Sequence, residues 1–391
     1  MTRHPYADLP NDRFWARDPG VTSPTLFDPV TPGAVRVKPG ALVATAGSCF
    51  AEHMTRALPQ LGLTHLVTEL APPVVPADVA QTFQYGRFSA RYGAVYTPRQ
   101  LLQLVQRAQG TFTPRATGWA LPRTDTRTGA GLGANLGAGL ADPFRPMVHP
   151  GGYISEAELI ADREQHLRAV ARMLRQMEVF VFTLGLTEAW ADPVDGAVFP
   201  LAPGVAAGSA DDGLAEFVNF DADEARADLI QALTLIRQVN PTVQIILTVS
   251  PVALRATYAP RHVAQSTIWS KSVLRIAAEA AAQSLPQVMY FPSYEVITAP
   301  QTRGMYFAPD ARDVTAEGVA HVMRLFARHV MDTDHTPQED VPQNSALPSS
   351  HTQQVAARLN AMCEESTLDP AALSPAAKPA RQGWRRFWRG D

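Results

Sequence analysis

Four short apolar runs, at residues 41–46, 179–184, 243–249 and 288–291, alternate with longer stretches of helical periodicity. That alternation constrains the fold more than any other feature of the chain. Val179-Phe180-Val181-Phe182-Thr183-Leu184 is apolar almost throughout, the pattern of a strand buried on both faces. Between the runs, Ala225, Leu229, Leu233 and Ile236 form a helical stripe within residues 222–239, ended by Asn240-Pro241. Residues 155–177 repeat the pattern with Leu159, Leu167, Val170 and Leu174. Ser155 and Glu158 at their start are spaced as a capping box. Thr97-Pro98, followed by Leu101, Leu102 and Val105, starts another helix, and a further one is expected through roughly residues 266–283. The expected fold is α/β with three layers, a parallel sheet covered by helices on both faces. Ligands in such sheets bind at the carboxyl ends of the strands.

One of those ends carries nucleophiles. Val43-Ala44-Thr45-Ala46 breaks at Gly47, Ser48 and Cys49 follow, and a helical pattern begins through Met54, Ala57 and Leu58. A strand, tight glycine turn and helix expose a side chain above the sheet and aim free N–H groups at whatever binds there. A thiol at a helix N-terminus also tends to ionise more readily than usual. The competing reading is a small buried cysteine in a structural turn. Gly185-Leu186-Thr187-Glu188 and Ser250 fall at the ends of two other expected strands, so three segments converge on one edge.

Gly47-Ser48-Cys49-Phe50-Ala51 resembles the hallmark of the GSCFA-domain family, whose members look related to the SGNH (GDSL-type) hydrolases. Tyr92-Gly93-Ala94-Val95-Tyr96-Thr97, Phe144-Arg145-Pro146 and Gly185-Leu186-Thr187-Glu188 are similar to further stretches of the family. The resemblance implies a flavodoxin-like, SGNH-hydrolase-like sheet. In register with the hydrolases, Cys49 takes the place of the nucleophilic serine. The oxyanion hole would combine the Cys49 N–H, the Gly93 N–H and the Thr187 hydroxyl. Thr187 stands where the hydrolases have asparagine, and Glu188 where they have aspartate. Asp310 fits the aspartate of the closing block, but Asp313 stands where its histidine is expected. A base would then come from elsewhere. His53, one helical turn from Cys49, is preferred over His321 in the final helix.

Composition limits the remaining choices. A formal net charge of -3 over 391 residues gives no reason to expect nucleic acid. No apolar run reaches about 18 residues, and the N-terminus lacks the apolar region of a signal peptide. The two cysteines, Cys49 and Cys363, lie far apart in sequence, so a disulfide framework is not expected and a reducing cytoplasm is the default location. Residues 1–40 are expected to be an extended arm, 41–331 the domain, and 332–391 a polar, disordered tail. The glycines of 129–139 match no phosphate-binding spacing and read as a flexible loop. Lys271 and Arg275, one turn apart, read as solvated surface. Trp384-Arg385-Arg386-Phe387-Trp388-Arg389 would suit a peripheral membrane or protein contact.

The expected function is acyl transfer, by an esterase or O-acyltransferase acting on a small-molecule or glycan acyl substrate. Cys49 or Ser48 would be the nucleophile, with Asp310 and His53 managing protons and Glu188, Ser250 and Asp313 lining the pocket. No cofactor or metal is required, and an acyl-CoA is a candidate donor. The alternative is a non-catalytic binding module that kept the pocket and lost the chemistry, with Asp313 as its main support.

Overall fold

The computed structural model describes residues 4–121 and 139–332, together with Leu368. The glycine-rich loop of 129–139 therefore falls almost entirely outside the described residues, as do the tail from 333 (Leu368 apart) and its Trp/Arg segment.

After an arm of short turns and helix α1 (Pro19–Thr22), the chain enters β1 (Leu42–Gly47) and α2 (Cys49–Ala57). Then come β2 (Thr64–His65), α3 (Ala77–Thr82), α4 (Pro98–Gln109), β3 (Trp119–Ala120), β4 (Leu140–Ala141) and α5 (Glu156–Gln176). β5 (Val179–Leu184), β6 (Glu188–Ala191), β7 (Val198–Phe199), β8 (Glu216–Asn219) and α6 (Ala222–Val239) follow. The fold closes with β9 (Gln244–Val249), α7 (Val263–Ser284), β10 (Val288–Tyr290), α8 (Ser293–Thr298) and α9 (Ala316–Val330).

Five strands form a parallel sheet in the order β2-β1-β5-β9-β10. Counted within the sheet, that is the 2-1-3-4-5 order of doubly wound folds, which reverses direction between β1 and β5. Side chains along each strand alternate between two cores. Ala44, Ala46, Phe180, Phe182, Ile245 and Leu247 face α4, α5, α6 and α7. Val43, Val179, Val181 and Ile246 face α2, α8 and α9. The fold is thus a three-layer α/β sandwich, as the apolar runs required.

The helix ends follow their side chains. Thr97 accepts the N–H of Gln100, whose side chain accepts the Thr97 N–H in return, and Pro98 occupies the first turn of α4. Asp221 and Glu224 make the same reciprocal pair on α6. On α5, Ser155 accepts the N–H of Glu158 as expected. The Glu158 carboxylate instead accepts the N–H of Ile154, one residue earlier than a capping box requires.

Two features were not anticipated. The stretch 192–212, which has no marked periodicity, contributes β7 to a small antiparallel sheet in the order β7-β6-β8. β2 adds a two-residue edge to the main sheet. Strands of two to four residues carry too little periodicity to stand out from loop. The arm contributes Val30, Val35 and Val37 to the core beside α9, and Val37 bridges to Met331.

Candidate active site

The site is built on a turn that only glycine can make. Gly47 ends β1 with φ +139°, and a Cβ there would sit 2.3 Å from the Thr183 carbonyl oxygen. This close passage of β1 against β5 lets the Ser48 N–H donate to that carbonyl at 3.1 Å. The Gly47 carbonyl in turn accepts the Val95 N–H at 3.0 Å. The chain then turns into α2, whose first residue is Cys49. Ser48 stands at the N-cap position but its side chain makes no capping bond, and its buried oxygen has no hydrogen-bond partner among the described residues. A buried hydroxyl left unpartnered is costly, and such groups are concentrated where a ligand or a reaction uses them.

A narrow cleft of about 10 Å³, room for one water-sized group, lies at this turn. Ser48, Cys49, Gly185, Ser250, Val252, Leu254 and Lys271 line it. Ser48, Gly185 and Ser250 follow the carboxyl ends of β1, β5 and β9, so the cleft spans the point where the sheet reverses direction. Gly185 is required here by proximity: a Cβ would come within 2.9 Å of Tyr96 and 3.2 Å of Ser48. Ser250 is buried, and its hydroxyl accepts the Val252 N–H at 3.3 Å.

Lys271 is the largest departure from the sequence reading. Read as solvated surface, it is 2% exposed, and its ammonium donates to the Gly185 carbonyl at 2.5 Å. Its position on α7 faces the strand ends, which a helical wheel alone cannot reveal. Arg275, one turn on, is held by Glu279 at 2.7 Å and Glu295 at 3.0 Å.

The structure brings some expected residues together and sends others elsewhere. His53 is half-buried on α2, one turn below Cys49, with its ring against Phe50. Burial lowers its pKa. The neighbouring charges of Glu52 and Asp313 push it up, while Arg56 pulls it down. The charge of Asp313 is thus felt at His53, although the closing-block pattern had pointed to Asp310. Asp310 is exposed, and one of its carboxylate oxygens accepts the N–H groups of Arg312 and Asp313, each at 3.0 Å, stitching its own turn. Asp313 itself pairs with Arg312 at 3.0 Å. His321, on α9, is buried and shares a 2.5 Å hydrogen bond with the Tyr306 hydroxyl.

Thr187 is buried behind the cleft. Its hydroxyl donates to Asn219 at 2.7 Å and lies 2.8 Å from the Ser270 hydroxyl. Glu188 accepts the Thr257 hydroxyl at 2.6 Å and the Tyr258 N–H at 3.1 Å, anchoring the loop after β9. Gly93 is buried with φ +68° and does not line the cleft. The Cys49 sulfur is disulfide-bonded in this structure, which cysteine spacing did not suggest. The other cysteine of the sequence, Cys363, lies outside the described residues.

The GSCFA family profile matches residues 42–326, from the first strand of the sheet into its last helix. The chain belongs to the GSCFA family. No curated protein sequence matches it. Among the described residues, no helix is long and apolar enough to cross a membrane.

Proposed function

We propose that this protein is an acyl-transfer enzyme, an esterase or O-acyltransferase, related to the SGNH hydrolases and using a nucleophile in the Gly47-Ser48-Cys49 turn. The observation that carries the reading is the turn itself. It brings two nucleophile-capable side chains at the start of a helix to one cleft at the reversal point of a doubly wound sheet.

In its reduced form, Cys49 gives its thiol proton to the neutral His53 imidazole and attacks the acyl carbonyl carbon, and the carbonyl π electrons move to oxygen. The N–H groups at the start of α2 hold that oxyanion. Collapse of the tetrahedral intermediate expels the leaving group, which takes a proton from the His53 imidazolium, and leaves a thioester on Cys49. Water or an acceptor hydroxyl then attacks the thioester while His53 removes its proton, and Asp313 stabilises the imidazolium; collapse breaks the C–S bond, releases the acyl product, and returns that proton to the Cys49 thiolate. The family resemblance adds the Gly93 N–H and the Thr187 hydroxyl to the oxyanion hole. Because Thr187 donates to Asn219, the helix start is the stronger support. A thiol nucleophile suits exchange with an acyl-CoA donor and a reducing, cytoplasmic setting.

An aromatic group on β6, β8 and the loop after β9 supports a glycan acceptor. Trp190, Phe217 and Tyr258 pack with ring centroids 4.8–5.9 Å apart, and Tyr258 is 68% exposed. Exposed rings of this kind stack on the apolar faces of sugars. Tyr258 sits on the loop that Glu188 anchors.

A second reading has a specific observation behind it. The unpartnered Ser48 hydroxyl would make Ser48 the nucleophile and Cys49 a structural or redox-sensitive neighbour.

The test is intact-mass analysis of the reduced full chain during turnover of 4-nitrophenyl acetate. An acetyl adduct lost in Cys49→Ser but kept in Ser48→Ala supports the first reading, and the converse supports the second. With no adduct and no turnover in any form, the binding-module reading takes over. His53→Gln should slow turnover by about 100-fold or more if it is the base.

A further inference from the structure

A second buried site lies away from the candidate active site, between α4, α5 and the segment 142–148. A charged network fills this region. Arg145 donates to Asp142 at 2.9 Å and to Asp162 at 2.8 Å. Arg163 pairs with Asp142 at 2.8 Å, and Arg91 with Glu69 and Asp162. His166 Nδ1 lies 2.7 Å from Glu69. Arg107 completes the set, stacked on Phe144 with its guanidinium carbon 3.8 Å from the ring centre.

The network is not balanced. Arg91, Arg107, Arg145 and Arg163 stand against three carboxylates, Glu69, Asp142 and Asp162. His166 is neutral at ordinary pH, because burial, with the charge of Arg145, pulls it down to about 4. Arg107 carries the surplus: burial lowers its pKa to about 9, with Asp142 opposing and Arg163 and Arg145 adding to the shift. An uncompensated charge at this depth is expensive unless something balances it.

The unused hydrogen-bonding atoms fall on the residues that surround a cavity of about 30 Å³. Arg107 leaves Nε and Nη2 without partners, Arg145 leaves Nη1, and His166 leaves Nε2, all buried and unpaired among the described residues. Arg107, Arg145 and His166 all line the cavity and are 8%, 2% and 1% exposed. Nε and Nη2 form one edge of a guanidinium, the edge that grips two oxygens of a carboxylate or phosphate side by side. With Nδ1–H donated to Glu69, His166 offers Nε2 as an acceptor, so the complementary ligand also carries a hydroxyl.

We propose that this cavity binds a small protonated oxyanion, of the hydrogen phosphate or bicarbonate class. Two oxygens lie on the Arg107 edge, Arg145 donates to the same group, and the ligand hydroxyl donates to His166. Two buried waters would satisfy the hydrogen bonds but not the charge. Tyr92, Ala94 and Val95 also line the cavity, and Val95 bonds the Gly47 carbonyl. Occupancy therefore braces the strand-to-helix turn from behind.

The test uses the reduced full chain, exhaustively exchanged into chloride buffer. Thermal unfolding and calorimetry are followed on titration with inorganic phosphate and with bicarbonate, at constant ionic strength. A saturable rise in Tm with either ion, absent with chloride alone, is expected. Arg107→Lys, which keeps the charge but loses the fork, should weaken the apparent affinity at least tenfold. Should Arg107→Lys fail to fold, His166→Asn supplies the same comparison. Ion chromatography of the acid-denatured protein as purified reads any anion retained from the cell. A sugar phosphate that competes with phosphate would make the ligand the end of a larger molecule; failure to compete would make it the free ion. The proposal is overturned if wild-type protein shows no saturable response and releases no anion. It is equally overturned if Arg107→Lys and His166→Asn respond as wild type does. Neither outcome bears on Cys49 or Ser48.

Discussion

Replacing Gly47 by alanine tests the turn on which the site is built. Its φ of +139° lies where L side chains are rarely found, which costs about 1–3 kcal/mol. The added Cβ meets a backbone carbonyl at 2.3 Å and the Thr183 Cβ and N at 2.8 Å, so β5 must shift, adding about 1–3 kcal/mol. That carbonyl accepts the Ser48 N–H, and losing the bond costs about 1 kcal/mol more. Gly47→Ala should therefore destabilise the chain by about 3–7 kcal/mol. Gly62→Ala is the control. It has φ +69° with nothing within 4 Å, so only backbone strain remains, about 1 kcal/mol. Urea unfolding of the full chain, followed by tryptophan fluorescence, gives both values. If the two variants agree within about 1 kcal/mol, the close passage of β1 against β5 is not what fixes the glycine, and the argument fails.

Other outcomes follow from the same structure. Phe182→Ala empties a fully buried position between the sheet and its helices and should cost about 4 kcal/mol in the same unfolding assay, whereas a cost below about 1.5 kcal/mol would mean a loosely packed core. Lys271→Met leaves the Gly185 carbonyl without its buried donor and should cost about 1–3 kcal/mol, where a surface lysine would cost within about 0.5 kcal/mol. Burial pulls the His65 pKa down to about 4 from 6.5. Between those values the unfolded chain binds a proton that the folded chain refuses, so stability falls as pH drops from 6.5 to 4. His65→Asn should flatten the pH dependence of the urea midpoint across that window, and an unchanged slope would remove His65 as a contributor.

The candidate site was legible in the sequence to the extent that its parts are local. Gly47-Ser48-Cys49 announced a strand-to-helix turn, and Gly185 and Ser250 were placed at strand ends by the apolar runs before them. All of these residues line or shape one cleft. The closing block was harder to read. Asp310 and Asp313 are three residues apart, and which of them stitches the chain together depends on a tight hairpin in which Asp310 spends a carboxylate oxygen on its own turn. Periodicity carries no information about such a choice.

The sequence by itself determined the class of fold, because runs apolar on both faces can be satisfied only inside a sheet covered by helices on each side. It also determined where chain direction changes, because glycine, proline and capping side chains act on their immediate neighbours. Only the tertiary structure decided which distant groups share a dielectric and a cavity. Lys271 read as surface on its helix, yet it is buried against the Gly185 carbonyl because α7 crosses the strand ends. Arg107, Arg145 and His166 come from three separate segments, and nothing in their spacing shows that they surround one buried space with atoms left unpaired. The physical reason is range. Backbone preference acts over a few residues, whereas burial, charge balance and hydrogen-bond satisfaction are properties of a packed neighbourhood assembled from the whole chain.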